Sequence, residues 1–196
     1  SKLSTADTIT IGTGTTTIDA AIADEVAFMA KTTVAENATL SLNNYVNTDL
    51  SNLTNNGDFK VNTTTNAVLD SSKLADATLV TLGATTTATA ANAAAIGTNG
   101  ANIALNSQTL SITDYSNQDI SDFSGTGTVN VTTHATTQAE LVAASLSTAS
   151  AITLGGSASG TATNIAAIGT NGDAINLNSQ TLSVTDYTNQ DISDFS

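Results

Sequence analysis

The chain has 196 residues, with only four Lys+Arg against 17 Asp+Glu and a net charge of −13. That balance excludes the cationic contacts that nucleic-acid phosphates and anionic membrane surfaces require. Cys, Pro and Trp are absent, which excludes a disulfide scaffold and thiolate metal sites, and no run of 18 apolar residues marks a membrane span.

Ala, Thr, Ser, Asn and Gly dominate, yet 40% of residues are hydrophobic, and their regular spacing argues against disorder. In chain order, Ile9-Thr10-Ile11 opens a series of apolar–polar–apolar triplets, the alternation of a short strand with one buried face. Residues 17–31 form the longest helix candidate, with Ile18, Ile22, Val26 and Met29 along one stripe. Strand triplets then follow at Leu40–Leu42, Val80–Leu82, Ile103–Leu105, Leu110–Ile112, Val129–Val131, Ile152–Leu154, Ile175–Leu177 and Leu182–Val184. Val129, Ile152 and Ile175 are 23 residues apart. Before several triplets stand apolar residues spaced for one helical turn: Ile120 and Phe123, then Leu141, Ala144 and Leu146, then Ile165 and Ile168. Thr137-Gln138-Ala139-Glu140 reads as a capping box for the second of these, and Thr161 to Asn164 as the start of the third.

The chain also repeats itself. Residues 95–124 and 167–196 are offset by 72 and identical at 25 of 30 positions. Residues 39–53 match 109–123 more weakly, and Ile9–Gly12 matches Val80–Gly83 and Ile152–Gly155. Three units result, 1–53 (divergent), 54–124 and 125–196. The last ends on residues that run straight on into Gly125 in the middle unit, so the C-terminus reads as an edge within an array. Ser1-Lys2-Leu3 carries no secretory signature, so a targeting segment is expected to be removed or to lie elsewhere.

Within each unit, strand and short helix recur about every 20–30 residues, predicting three coils per unit. The expected fold is a repeat solenoid of stacked strand–short-helix coils with a parallel β-ladder, an α/β solenoid. About nine coils at ~4.8 Å would give a rod on the order of 45 Å long. The alternative is a right-handed parallel β-helix in which the helical signals are only loops; separate small β-sandwich modules are a third option. The coil length resembles leucine-rich-repeat solenoids in spacing only.

Asp114, Asp119 and Asp122 recur as Asp186, Asp191 and Asp194, with Asn117 and Asn189 among them. Oxygen ligands at that density suit calcium, although the spacing matches neither the EF-hand nor the glycine-rich calcium repeat. The competing reading is a polar turn whose Asp and Asn side chains cap backbone N–H groups. Asn-Gly pairs at 56–57, 99–100 and 171–172 and the two Gly-x-Gly sequences read as turns. The lone His134 has no second His or Cys with which to build a metal site. Thr15–Thr17, Thr63–Thr65 and Thr85–Thr87 read as plain strand and loop surface, or as a hydroxyl array of the ice-binding kind. Sequons at Asn37, Asn52, Asn62 and Asn130 are expected by chance in such a composition. No paired carboxylates, activated serine or phosphate loop stands out, so the chain reads as a non-enzyme.

The segment Thr161–Asp186 and its near copy at 95–114 resemble, in repeat logic and composition, the Ala/Thr/Asn-rich tandem repeats of bacterial surface proteins, both S-layer proteins and giant secreted adhesins. The resemblance implies an extracellular, structural chain that associates with copies of itself or with adjacent repeats, with calcium as a helper ion. It implies, alternatively, an adhesin module that binds a glycan or a neighbouring cell. Tyr45, Tyr115 and Tyr187 fall at equivalent repeat positions, which suits a core ladder better than one ligand site. Three buried tyrosines would argue against an aromatic binding patch.

Overall fold

The computed structural model describes residues 6–23, 30–74, 76–172, 174–193 and 195–196. Eighteen strands, numbered in chain order, form four sheets among these residues. The first contains β1 (Ile9–Ile11), β3 (Thr32–Val34) and β5 (Thr54–Asn55). The second runs β2 (Gly14–Asp19), β4 (Ala38–Tyr45), β6 (Asp58–Thr63), β8 (Leu79–Thr81), β10 (Asn102–Ala104) and β12 (Phe123–Ser124). The third runs β7 (Ala67–Leu69), β9 (Thr86–Thr89), β11 (Thr109–Tyr115), β13 (Thr128–Thr133), β15 (Ala151–Thr153) and β17 (Ala174–Asn176). The fourth holds β14 (Ala139–Glu140), β16 (Ala158–Thr161) and β18 (Leu182–Thr185).

Every pairing between these strands is parallel, and every pair joins strands two places apart in the chain. In the third sheet one inward column runs Leu69, Ala88, Ile112, Val131, Ile152 and Ile175, extended by a bridge to Phe195. Its six steps average 21 residues. The 23-residue spacing legible in the sequence is therefore close to one step of the ladder, and the expected triplets all lie in or against strands. Pairing of β4 with β6 crosses residues 53/54, and that of β11 with β13 crosses 124/125, so hydrogen bonding continues through both repeat boundaries.

Because 72 is not a whole number of 21-residue steps, three coils per unit is corrected: each unit overshoots three steps. The excess carries equivalent strands one sheet onward. Thus β1, β8 and β15 lie in the first, second and third sheets, and β4, β11 and β18 in the second, third and fourth.

Alternation explains the core. Along β4, Ala38, Leu40 and Leu42 are buried while Asn43 and Asn44 are exposed. Along β13, Val129, Val131 and Thr133 are buried between exposed residues. One apolar cluster collects the inward side chains of all units, including Leu40, Leu42, Phe59, Val61, Leu110, Ile112, Val129 and Val131. Burying each such side chain stabilises by roughly 1.5–3 kcal/mol.

Helices are fewer than expected. Besides a four-residue turn, α1 (Ala20–Ala23), the described residues hold two nine-residue helices, α2 (Ala90–Thr98) and α3 (Ala162–Thr170). Both are Ala-rich, buried at positions three apart and capped by a threonine hydroxyl: Thr89 accepts from Asn92 N and Thr161 from Asn164 N, each at 3.2 Å. The Asn-Gly pairs end them, with Gly100 and Gly172 at φ +87°. The start at Thr161 is as expected. The capping box at Thr137–Glu140 starts no helix. The N–H groups of Ala139, Glu140 and Leu141 donate to Ser157, Ser116 and Ser159 carbonyls at 3.1, 2.6 and 2.8 Å, so adjacent ladder steps take the bonds a helix would use. Ile120 likewise donates to the Ser145 carbonyl at 3.0 Å, and Phe123 belongs to β12. The helix candidate at 17–31 begins as strand β2, which contains Ile18, and becomes helical at α1, which contains Ile22; Val26 and Met29 lie outside the described residues.

Candidate functional site

The recurring acidic segment begins in the last residues of β4 and β11 and directly after β18, and its residues play two backbone roles. The first is a bulge. Asn44, Asp114 and Asp186 have φ of 59°, 58° and 56°, a left-handed conformation that Asn and Asp tolerate better than other L-residues. At the first two the pairing register shifts, between Leu42 and Tyr45 and between Ile112 and Tyr115. The slip places both Tyr45 and Tyr115 in the core at 0% exposure, whereas Tyr187 is 59% exposed.

The second role is a turn cap. In Asp49-x-Ser51, Asp70-x-Ser72, Asp119-x-Ser121 and Asp191-x-Ser193, the Asp Oδ1 accepts from the Ser amide at 3.0, 3.0, 3.1 and 3.1 Å. The same oxygen accepts from the Ser hydroxyl at 2.6 to 2.7 Å. Those bonds from Ser51 hold the Asp49 carboxyl below its usual range, and Lys73 adds to the effect. Asp19 is lowered in the same way by the Ala21 amide and the Asn44 side chain.

Of the six carboxylates picked out in the sequence, Asp114, Asp119, Asp122, Asp186 and Asp191 are exposed, and Asp194 lies outside the described residues. Thr113 and Thr185 hydroxyls donate to Asp114 and Asp186 at 3.2 and 3.4 Å. Among the described residues, no three His, Cys, Asp or Glu side chains come close enough to hold one metal ion. A shallow groove at the turn before β4 and β6 brings Glu36 and Asp58 together with Asn37, Asn56 and Gly57. His134 is a turn cap, its Nδ1 accepting from Thr136 and Thr137 amides at 3.1 and 3.0 Å.

Burial pushes the Tyr115 hydroxyl up to about 12, with Glu140 and Asp119 adding to the rise and the Val142 backbone opposing it. Tyr45 is raised further by burial and by Asp70 and Asp49. Among the described residues neither buried hydroxyl has a well-formed hydrogen-bond partner. The threonine runs form no single exposed array: Thr15–Thr17 are exposed, but Thr63 and Thr86 are buried and share a 3.0 Å hydrogen bond. Basic side chains are bound to carbonyls, Lys31 Nζ to Ala6 O at 2.8 Å and Lys73 Nζ to Asn47 Oδ1 at 2.9 Å.

What the sequence pattern did not single out is the edge of β18. Leu182 and Val184 are only partly buried, with Ile192 and Phe195 packed nearby against the core. The signal was present in the 72-residue offset, which equates Leu182 and Val184 with the buried Leu110 and Ile112. Among the described residues no helix is long and apolar enough to cross a membrane. No protein-family model matches this chain, and no curated protein and no solved structure is similar to it.

Proposed function

We propose that the chain is a structural tandem-repeat segment of an extracellular surface layer, fibre or matrix, a parallel β-solenoid that serves as spacer and self-association element. The observation that carries this reading is the ladder: strands pair two places apart through both repeat boundaries, so added units add length and surface. Equivalent residues are spent on bulges, caps and core, as Asp119, Asp114 and Tyr115 illustrate, and do not converge on one reactive centre. The acidic surface of the repeats suits an array kept soluble by charge until its edges meet.

The adhesin alternative needs an aromatic platform for a glycan. Two of the three repeated tyrosines are buried, leaving Tyr187 exposed without a second repeated tyrosine beside it on the surface. That disfavours the platform. Calcium enters the proposal as a helper ion at Asp114, Asp119, Asp122, Asp186, Asp191 and Asp194, although among the described residues no three of these carboxylates converge within one chain.

Sedimentation velocity over a concentration series, paired with negative-stain electron microscopy, tests the role with and without calcium. Filaments or ordered sheets are the expected outcome. Monodisperse monomers at every concentration, in both conditions, would count against it.

A further inference from the structure

Residues of the third sheet alternate between core and surface. The outward ones form a column of their own: Val68 faces Thr87, which faces Ser111, followed by Asn130, Ala151 and Ala174. All six are exposed or half-buried, Val68 at 42%. Thr132, Thr153 and Asn176 make a second row two residues further along their strands. No position in either row carries a charge, in a chain of net charge −13. Outward positions of the other sheets differ. Asp58 and Lys60 stand on the second sheet and Glu140 on the fourth. Thr10, Thr33 and Thr54 of the first sheet are uncharged but make a column of only three. Asp114 stands at the bulge near the end of β11, on the rim of the uncharged face.

We infer that this face is where two copies of the chain meet, each laying its third sheet against the other's. Packed sheets lie about 10 Å apart. A carboxylate on either face would lose its water against a second acidic chain, a cost that an uncharged face avoids. Elsewhere the acidic surfaces of two copies repel at that separation, which is close to the screening length in physiological salt. Thr and Val supply methyl groups to the contact, and the hydroxyls and amides of Thr, Ser and Asn supply hydrogen bonds across it. Because both sides carry the same residues, a two-fold arrangement is self-complementary. Five ladder intervals give the face a length of about 24 Å. Two rows of that length fall at the low end of specific interfaces, so a single contact is weak and forms at high protein concentration. The inference rests on the self-association reading above and supplies the surface that reading needs.

The test is sedimentation velocity of the full chain over a concentration series, with one charge added at a time. Asn130→Asp and Thr132→Glu each place a carboxylate on the face. Thr17→Glu places one on the outward side of β2, beside Ser41 in the second sheet. Circular dichroism checks each fold. Either face variant is expected to weaken association about tenfold or more, and the control less than about twofold. Equal weakening by all three, or none by the face variants, would overturn the face. A second readout needs no added charge: the thiol of Thr132→Cys is expected to react with maleimide more slowly as protein concentration rises, and that of Thr17→Cys at an unchanged rate. Retention of the chain on microcrystalline cellulose that Thr132→Glu abolishes, without such shielding, would assign the face to a glycan and overturn the second copy as its occupant. A parent chain that stays monomeric at every concentration defeats the self-association reading and the face with it, whereas association that the face variants leave unchanged defeats the face alone.

Discussion

Tyr45 and Tyr115 occupy the same place in successive repeats, both fully buried, yet Tyr45 belongs to the second sheet and Tyr115 to the third. The displacement follows from a ladder step averaging 21 residues inside a 72-residue repeat. Each unit passes three steps and ends one sheet onward. A repeat of this kind places the same segment in a different sheet each time.

Both tyrosines hold a poorly satisfied hydroxyl in the core. Tyr45→Phe removes a buried polar atom without opening a cavity, and should leave stability unchanged or raise it by about 1 kcal/mol in chemical denaturation. The pH dependence has a definite sign. A hydroxyl with a folded pKa raised from 10.0 to about 12, as at Tyr115, contributes stability that is full below pH 10 and is lost as pH rises from there through 12. Thermal melts should fall steeply over that window, and less steeply in the Tyr45→Phe/Tyr115→Phe double variant. A double variant that tracks the parent would contradict the assignment.

Gly12, Gly83 and Gly155 are repeat equivalents in different surroundings. A Cβ at Gly83 would stand 2.2 Å from the Thr63 carbonyl oxygen, and one at Gly155 2.3 Å from that of Thr133, while Gly12 has nothing within 4 Å. The amides of Gly83 and Gly155 donate to the same threonines' hydroxyls at 3.2 and 3.0 Å. Gly83→Ala and Gly155→Ala should each cost about 1–3 kcal/mol in denaturant unfolding, and Gly12→Ala close to nothing. Equal effects at all three positions would mean that the preceding step does not press on the glycine.

Asp114 is interpreted as a bulge former. Asn44 adopts the same conformation in the first unit, so Asp114→Asn should unfold like the parent. Asp114→Val should lose about 1–2 kcal/mol, because a β-branched residue resists positive φ. If Asp114→Asn were the more damaging change, a charge-dependent role would replace the conformational one.

How much of this was legible in the sequence varies by element. Strands carrying Val or Ile at alternate positions, such as Val129–Val131 and Ile152–Thr153, stood out because burial of one face imposes that pattern. Strands β9 and β16, built of Thr, Ala, Ser and Gly, stood out less, since small residues pack between large neighbours without announcing a period. Helix signals misled at Thr137–Glu140, where hydrogen bonds to the previous and following steps outweighed the local capping preference. They succeeded at Thr161, whose hydroxyl caps α3. The carboxylates were visible as a repeated set, but their partners, the serines two residues on, show their use only in three dimensions. The shift of one sheet per repeat needs the step length as well as the offset, and only the pairing register supplies that.

The central claim is that neighbouring steps pair across the repeat boundary and that repeat copies do not pair with each other. The chain has no native cysteine, so engineered pairs report it directly. Ser111 of β11 faces Asn130 of β13, at the ~4.8 Å separation of adjacent strands, which a disulfide can span. Under mild oxidation Ser111→Cys/Asn130→Cys should close an intramolecular disulfide, and Ser41→Cys/Ser111→Cys, which joins two repeat equivalents in different sheets, should not. A disulfide in the second pair and none in the first would contradict the account.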